Sequence, residues 1–216
     1  YAAYLSKSLH RTSDTVSYYS EPAYFEVKNK DVTDIVIEAK TGATVSGTAS
    51  FGKSDEAASL ARLAGAGMVL SKVGEDGKDL PRPMWSEFDG AAKFRFSGLR
   101  AGRYRLMASS GAVQARGLAC VRLETKGVLM DWVFELQEAQ QLKDIRAVFV
   151  PAQGTIRGQV QMNQPIPPGL HLYVKAHWIN GGNVTMGMAL VGERNDFKFE
   201  KLPAGEYELS IEILTA

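Results

Sequence analysis

The sequence predicts an all-β chain, two tandem antiparallel β-sandwiches preceded by an extended N-terminal arm. Three observations carry this. The stretch Phe94-Arg-Phe-Ser-Gly-Leu99-Arg-Ala-Gly102-Arg-Tyr104-Arg-Leu106 recurs as Phe197-Lys-Phe-Glu-Lys-Leu202-Pro-Ala-Gly205-Glu-Tyr207-Glu-Leu209, every shared residue at one constant offset. Such a fixed period marks repeated structural units. A looser echo lies upstream of each copy: Asp34-Ile35 leads to Gly42 and Gly47, and Asp144-Ile145 leads to Gly154 and Gly158. Finally, apolar residues alternate with polar ones in both copies, the period of a strand with one buried face.

The elements follow in order. Residues 33–39 and 43–50 read as strands. Ser54-Asp-Glu-Ala-Ala-Ser-Leu-Ala-Arg-Leu63 has a Ser cap and an acidic first turn, so a short helix and a plain loop are both open there. Strands come next at 67–73 and 94–99, then through Tyr104 and Leu106. Between the last two, Leu99-Arg-Ala-Gly102 turns the chain, and Gly102 takes positive φ without a Cβ penalty. The second copy places Pro203 in the same turn, which pre-sets φ there. The stretch from Pro81 to Phe88 has no strand period and reads as a loop.

Further strands are expected at 117–124, 128–136, 144–150, 154–162, 170–178, 184–191, 197–202 and 206–213. Val128, Met130, Trp132, Phe134 and Leu136 share one face, and so do Leu172, Val174, Ala176 and Trp178. Residues 135–143 have helix-forming composition, but a strand end followed by a loop is the preferred reading. Short strands with turn signals at this spacing argue for sandwiches. The division is a 1–30 arm or connector, a 31–150 first sandwich with its connector, and a 151–216 second sandwich.

Composition narrows the partners. Among 216 residues there are 25 Lys+Arg against 24 Asp+Glu, so no field favours nucleic acid or an anionic membrane. No apolar run approaches the ~20 residues of a membrane span. Cys120 stands alone, which excludes an internal disulfide and a cysteine zinc site. The chain opens on Tyr1 with no charged-then-apolar leader, as a processed product or a piece of a longer chain does.

A strand bracketed by glycines, then a loop, then Phe-x-Phe-x-x-Leu-x-Ala-Gly-x-Tyr-x-Leu resembles the carboxypeptidase regulatory-like domain. Thr44-Val-Ser-Gly47 through Leu106 carries it in the first unit, and Thr155-Ile-Arg-Gly158 through Leu209 in the second. The resemblance implies a seven-stranded, transthyretin-like or Ig-like sandwich. It also implies a place in tandem arrays of bacterial surface or secreted proteins, extracellular or in the cell envelope. Residues 1–30, with Tyr18-Tyr19 and Glu21-Pro22, are similar to the connector that follows a preceding domain of this kind. Family members usually run on into a further strand where this chain stops after Ile213, so the second sandwich is expected to be incomplete. The usual Asp-Gly before the first Phe is blurred here to Asp89-Gly-Ala-Ala-Lys and Arg194-Asn-Asp196.

Chemistry is sparse. His171 and His177 lie on one expected strand, roughly 20 Å apart at about 3.3 Å per residue, too far to share a metal, and they alternate with core positions. His10 has no neighbouring ligand. No Gly-x-Ser-x-Gly elbow or phosphate-binding loop occurs, and Glu75-Asp76 are turn residues beside Gly77. No catalytic, cofactor or metal residue is assigned, and no cofactor is expected. Trp132 and Trp178 fall on core faces, and Cys120 reads as a small packing residue. Trp85, in its loop, is the candidate for stacking on a ligand or partner. Tyr1, Tyr4, Tyr18, Tyr19 and Tyr24 make the arm aromatic, and Tyr18 and Tyr19 are read as docking against a domain or a neighbouring subunit.

The function that follows is non-enzymatic: a structural and interaction module joined to protein partners, other copies of itself included. An open edge of the second sandwich would accept the N-terminal segment of another copy by strand addition, building a filament. Two alternatives stand beside this. One is a carbohydrate-binding module centred on Trp85 with a polysaccharide partner. The other is an accessory domain to a peptidase whose catalytic domain lies outside this chain.

Overall fold

The computed structural model describes residues 2–3, 17–29, 31–51, 61–164, 167, 169–179, 184–192 and 194–215. The arm contributes three short strands, β1 (Ala2–Ala3), β2 (Tyr18–Tyr19) and β3 (Ala23–Tyr24), and β4 (Lys40–Thr41) follows it. Then come β5 (Ala43–Phe51), β6 (Gly67–Lys72), β7 (Met84–Glu87), β8 (Lys93–Leu99) and β9 (Gly102–Ala108). A short helix α1 (Ser110–Ala115) leads to β10 (Leu118–Thr125), β11 (Val128–Met130), β12 (Val133–Leu136) and β13 (Gln141–Pro151). The last strands are β14 (Gly154–Gln159), β15 (Leu170–Trp178), β16 (Val184–Leu190), β17 (Asp196–Leu202) and β18 (Tyr207–Thr215).

In the first unit a five-stranded sheet, β11-β10-β13-β5-β8, faces a four-stranded sheet, β12-β9-β6-β7. Alternation decides which residues fill the space between them. Phe94, Phe96 and Leu99 of β8 are buried while Lys93 and Arg95 are exposed. Val45, Leu70, Leu106, Leu123, Leu136, Ile145 and Phe149 are among the other residues of this core. Every pairing within these two sheets is antiparallel except β5 with β13, which runs parallel from Thr44 opposite Gln141 to Phe51 opposite Phe149. Gly47 makes that close approach feasible: a Cβ there would sit 2.0 Å from the Ile145 carbonyl oxygen.

The second unit repeats the plan with fewer strands. A two-stranded sheet, β14-β17, faces a three-stranded sheet, β16-β15-β18. Val160, Leu172, Val174, Ala176, Phe199 and Leu202 form a separate core. At the junction, Gln114 Nε2 donates to the Glu200 carbonyl at 3.2 Å and Lys201 Nζ to the Ala115 carbonyl at 2.7 Å.

Four expectations change. Residues 33–39 are exposed and in no strand, because no neighbouring strand among the described residues satisfies their backbone. The single strand expected at 128–136 breaks at Asp131–Trp132, and its halves join different sheets. Val128 and Leu129 are consequently exposed while Leu136 is fully buried, and Trp132 is only half-buried. Trp85 lies in the edge strand β7 and not in a loop. Helix α1, unforeseen, is too short for a helical period to register, though it buries Val113. The helix considered at 54–63 falls, apart from its last three residues, outside the described residues, as do His10, Tyr1 and Tyr4.

Candidate interaction surface

The arm leaves the first unit and returns to the same point. Tyr18 pairs with Thr41 and Tyr19 with Lys40, and the Gly42 N–H donates to the Ser17 carbonyl at 2.7 Å. Arg100, just past β8, holds the outgoing chain. Its Nη2 donates to the Ser20 carbonyl at 2.7 Å, its Nη1 pairs with Glu21 at 2.8 Å, and its guanidinium lies 5.6 Å from the Tyr19 ring centroid. The planar guanidinium, with its fork of donors and its flat face, serves a carbonyl, a carboxylate and an aromatic ring at once. The Tyr19 hydroxyl donates to Glu138 at 3.4 Å. Partial burial first, and the Glu138 charge second, raise its pKa above the ordinary value. Tyr18 is 52% exposed and Tyr19 half-buried. Arg100 and Glu138 were not singled out in the sequence, and Glu21 was noted only beside Pro22 in the connector pattern. The available signal was a departure from the repeat, Arg100 standing where the second copy has Pro203.

Between these two anchor points runs an apolar stretch with little cover. Val32, Ile35, Val36 and Ile37 are 37%, 39%, 81% and 39% exposed.

A second uncovered surface lies on β18. Leu209, Ile211 and Ile213 stand directly opposite Ala176, Val174 and Leu172 of β15, so all six point to the same face. The β15 residues are buried, yet the three on β18 are 43%, 56% and 58% exposed. Leu106, the repeat counterpart of Leu209, is 0% exposed. The difference follows from the facing sheets, which have five strands over β9 and, among the described residues, two over β18. The opposite face of β15 and β18 is polar. Lys175 pairs with Glu212 at 2.7 Å, and the His177 ring meets the Ser210 hydroxyl at 3.0 Å. His171 is exposed on that face.

Trp85 is 49% exposed on β7 opposite Val69. Among the described residues no hydrogen bond, ion pair or ring contact joins it to Tyr18 or Tyr19. Cys120 is buried, and burial pushes its thiol up to about 12. Among the described residues no group of three His, Cys, Asp or Glu is placed to hold a metal. No helix among them is long and apolar enough to cross a membrane.

Fold and surface together define a two-unit β-sandwich chain whose second unit has an uncovered inner face. No protein-family model matches it, and no curated protein matches it. Among solved structures it is similar to the Bacillus anthracis TIE protein, at 15% identity and a TM-score of 0.28, over 93% of this chain and 37% of that one. It is also similar to BcpA, the major pilin subunit of Bacillus cereus, at 12% identity and a TM-score of 0.31, over 81% of this chain and 59% of that one. The chain thus spans less than two thirds of either. Likeness at this level carries no argument about function.

Proposed function

We propose that the chain is a non-enzymatic structural and interaction module of an extracellular or cell-envelope protein, associating with other copies by strand addition. One observation carries the reading: Leu209, Ile211 and Ile213 lie on an inner sheet face yet remain about half exposed. Burying them is worth roughly 25 cal/mol per Å² of apolar area removed from water. The adjoining strand edges offer backbone groups that an incoming strand can pair. The repeat's resemblance to carboxypeptidase regulatory-like domains in tandem arrays supports the same reading. The separate cores support two domains, 31–150 and 151–216, after an arm at 1–30. The first unit's own strands begin at Ala43, so residues 31–39 go functionally with the arm.

Light scattering coupled to size-exclusion chromatography over a concentration series tests this. Mass rising with concentration, and chains visible by electron microscopy, are expected. A strictly monomeric chain at every concentration sinks the reading.

A second reading rests on the half-exposed Trp85 indole, which offers a stacking face to a sugar ring. A polysaccharide partner would then bind the chain and lose affinity for the Trp85→Ala variant. Equal binding by both chains, or by neither, removes it.

A further inference from the structure

We propose that residues 31–39 of one copy are the strand that closes the second unit of another copy, lying parallel to β14 in the register β13 takes on β5. This rests on the strand-addition reading above, and adds the donor, the edge and the register.

The donor is recognisable by comparison with β13. Asp31-Val-Thr-Asp-Ile-Val-Ile37 matches Gln141-Leu-Lys-Asp-Ile-Arg-Ala147, with apolar residues at Val32 and Leu142, Ile35 and Ile145, Ile37 and Ala147. Each stretch precedes the first core strand of a unit, β5 (after the short β4) in one case and β14 in the other. The backbones agree at an uncommon point. Asp34 and Asp144 both have φ of 60°, a left-handed conformation few non-glycine residues adopt. In β13 that residue occupies the register shift between Leu142 and Ile145, where the strand kinks to meet Gly47. The exposed copy carries the same left-handed residue with no strand beside it among the described residues.

The acceptor is equally specific. Gly158 holds the repeat position of Gly47. A Cβ at Gly47 would strike the Ile145 carbonyl of the parallel neighbour as well as the Phe94 ring, whereas the three atoms nearest to one at Gly158 all belong to the Phe197 ring. Among the described residues no strand takes the side of β14 that β13 takes on β5. Ile145 and Ala147 are fully buried in the first unit. Ile35 and Ile37 in the equivalent place would cover Leu209, Ile211 and Ile213. The register sets Val32 opposite Ile156, Ile35 opposite Gly158, Val36 opposite Gln159 and Ile37 opposite Val160.

A second copy, and not the same one, is the donor because of the parallel pair. The chain enters the first unit at the Thr44 end of β5 and leaves at the Phe149 end of β13. Those ends lie about 20 Å or more apart at ~3.3 Å per residue. Residues 31–39 hang from the entry and the open unit follows the exit. A contact of this head-to-tail kind passes from copy to copy and builds a filament wherever its rotation does not close a ring.

The test mixes two single variants, Val36→Cys and Gln159→Cys, under mild oxidation. Native Cys120 is buried and does not compete. A disulfide-linked dimer containing one copy of each is expected, at least tenfold more abundant than with Thr155→Cys, which lies off register on the same edge. Ile35→Lys alters an exposed donor residue, so it should leave the melting temperature unchanged and weaken association at least tenfold. Oligomers that form normally in Ile35→Lys, with no register-specific dimer, overturn the donor assignment while leaving strand addition standing. Failure of the unaltered chain to associate at any concentration overturns both.

Discussion

The Tyr104 hydroxyl donates to the carbonyl of Arg100 at 2.9 Å, bridging the turn from β8 to β9. In the second unit Tyr207 does the same to Pro203 at 2.6 Å. Each bond straps the Ala-Gly turn of its repeat onto the following strand, which explains why a tyrosine, and not a phenylalanine, stands at both places.

Removing the hydroxyl leaves a carbonyl without its donor, so Tyr104→Phe and Tyr207→Phe should each lose about 1–2 kcal/mol in urea unfolding. Burial raises both hydroxyls, Tyr207 to about 12. Its unfolded value is about 10, so the folded state favours the neutral form. The stability it contributes is complete below pH ~10 and is lost as pH rises toward 12. A difference titration at 295 nm against Tyr207→Phe checks this, and a phenol ionising near pH 10 in that difference would contradict it.

Arg100→Ala removes the hydrogen bond to Ser20, the Glu21 pair and the ring contact together. Exposed ion pairs and cation–π contacts are worth ~1 kcal/mol or less each. Melting of the first unit should therefore barely change, while amide exchange of residues 17–21 should accelerate several-fold. Unchanged exchange would show that the β2–β4 pair alone holds the arm.

Gly47→Ala and Gly158→Ala look alike on paper and should differ in effect. At Gly47 the new Cβ meets backbone, which cannot yield without moving β13. At Gly158 it meets the tip of the Phe197 ring, which can swing. Gly47→Ala is expected at or above the top of the ~1–3 kcal/mol range for overpacking, and Gly158→Ala near its lower end. Equal losses in chemical denaturation would refute the distinction.

Cys120 should be silent toward Ellman's reagent in the folded chain and react fully in denaturant. Burial and a pKa near 12 keep thiolate scarce, so native labelling should be slower by roughly two orders of magnitude or more. Rapid labelling without denaturant would place the thiol at the surface.

The periodic parts of this fold were legible in the sequence. Phe94 and Phe96, or Leu172 to Trp178, alternate so regularly that their buried faces follow from spacing alone. What escaped was set by long-range partners. Nothing local distinguishes Val128 to Leu136 as two strands, because the break at Asp131–Trp132 exists only to carry the chain from one sheet to the other. The parallel pairing of β5 with β13 likewise depends on strands far apart in sequence. Residues 33–39 failed in the opposite sense. Their strand pattern is real, but a strand needs a neighbour, and none is present among the described residues. Tyr18 and Tyr19 drew notice as aromatics, whereas Arg100, which grips Tyr19, looked like one more turn residue.

The parallel alignment of β5 and β13 has a consequence under load. Tension entering the first unit at Gly42 and leaving at Pro151 pulls these two neighbours past each other, so their interstrand hydrogen bonds are strained together and none can be peeled singly. In the second unit β14 and β18 lie in different sheets, and a pull on their ends meets no such shear lock. Stretched in a force spectrometer, the chain should yield first in its second unit at low force, and the first unit should hold until markedly higher force.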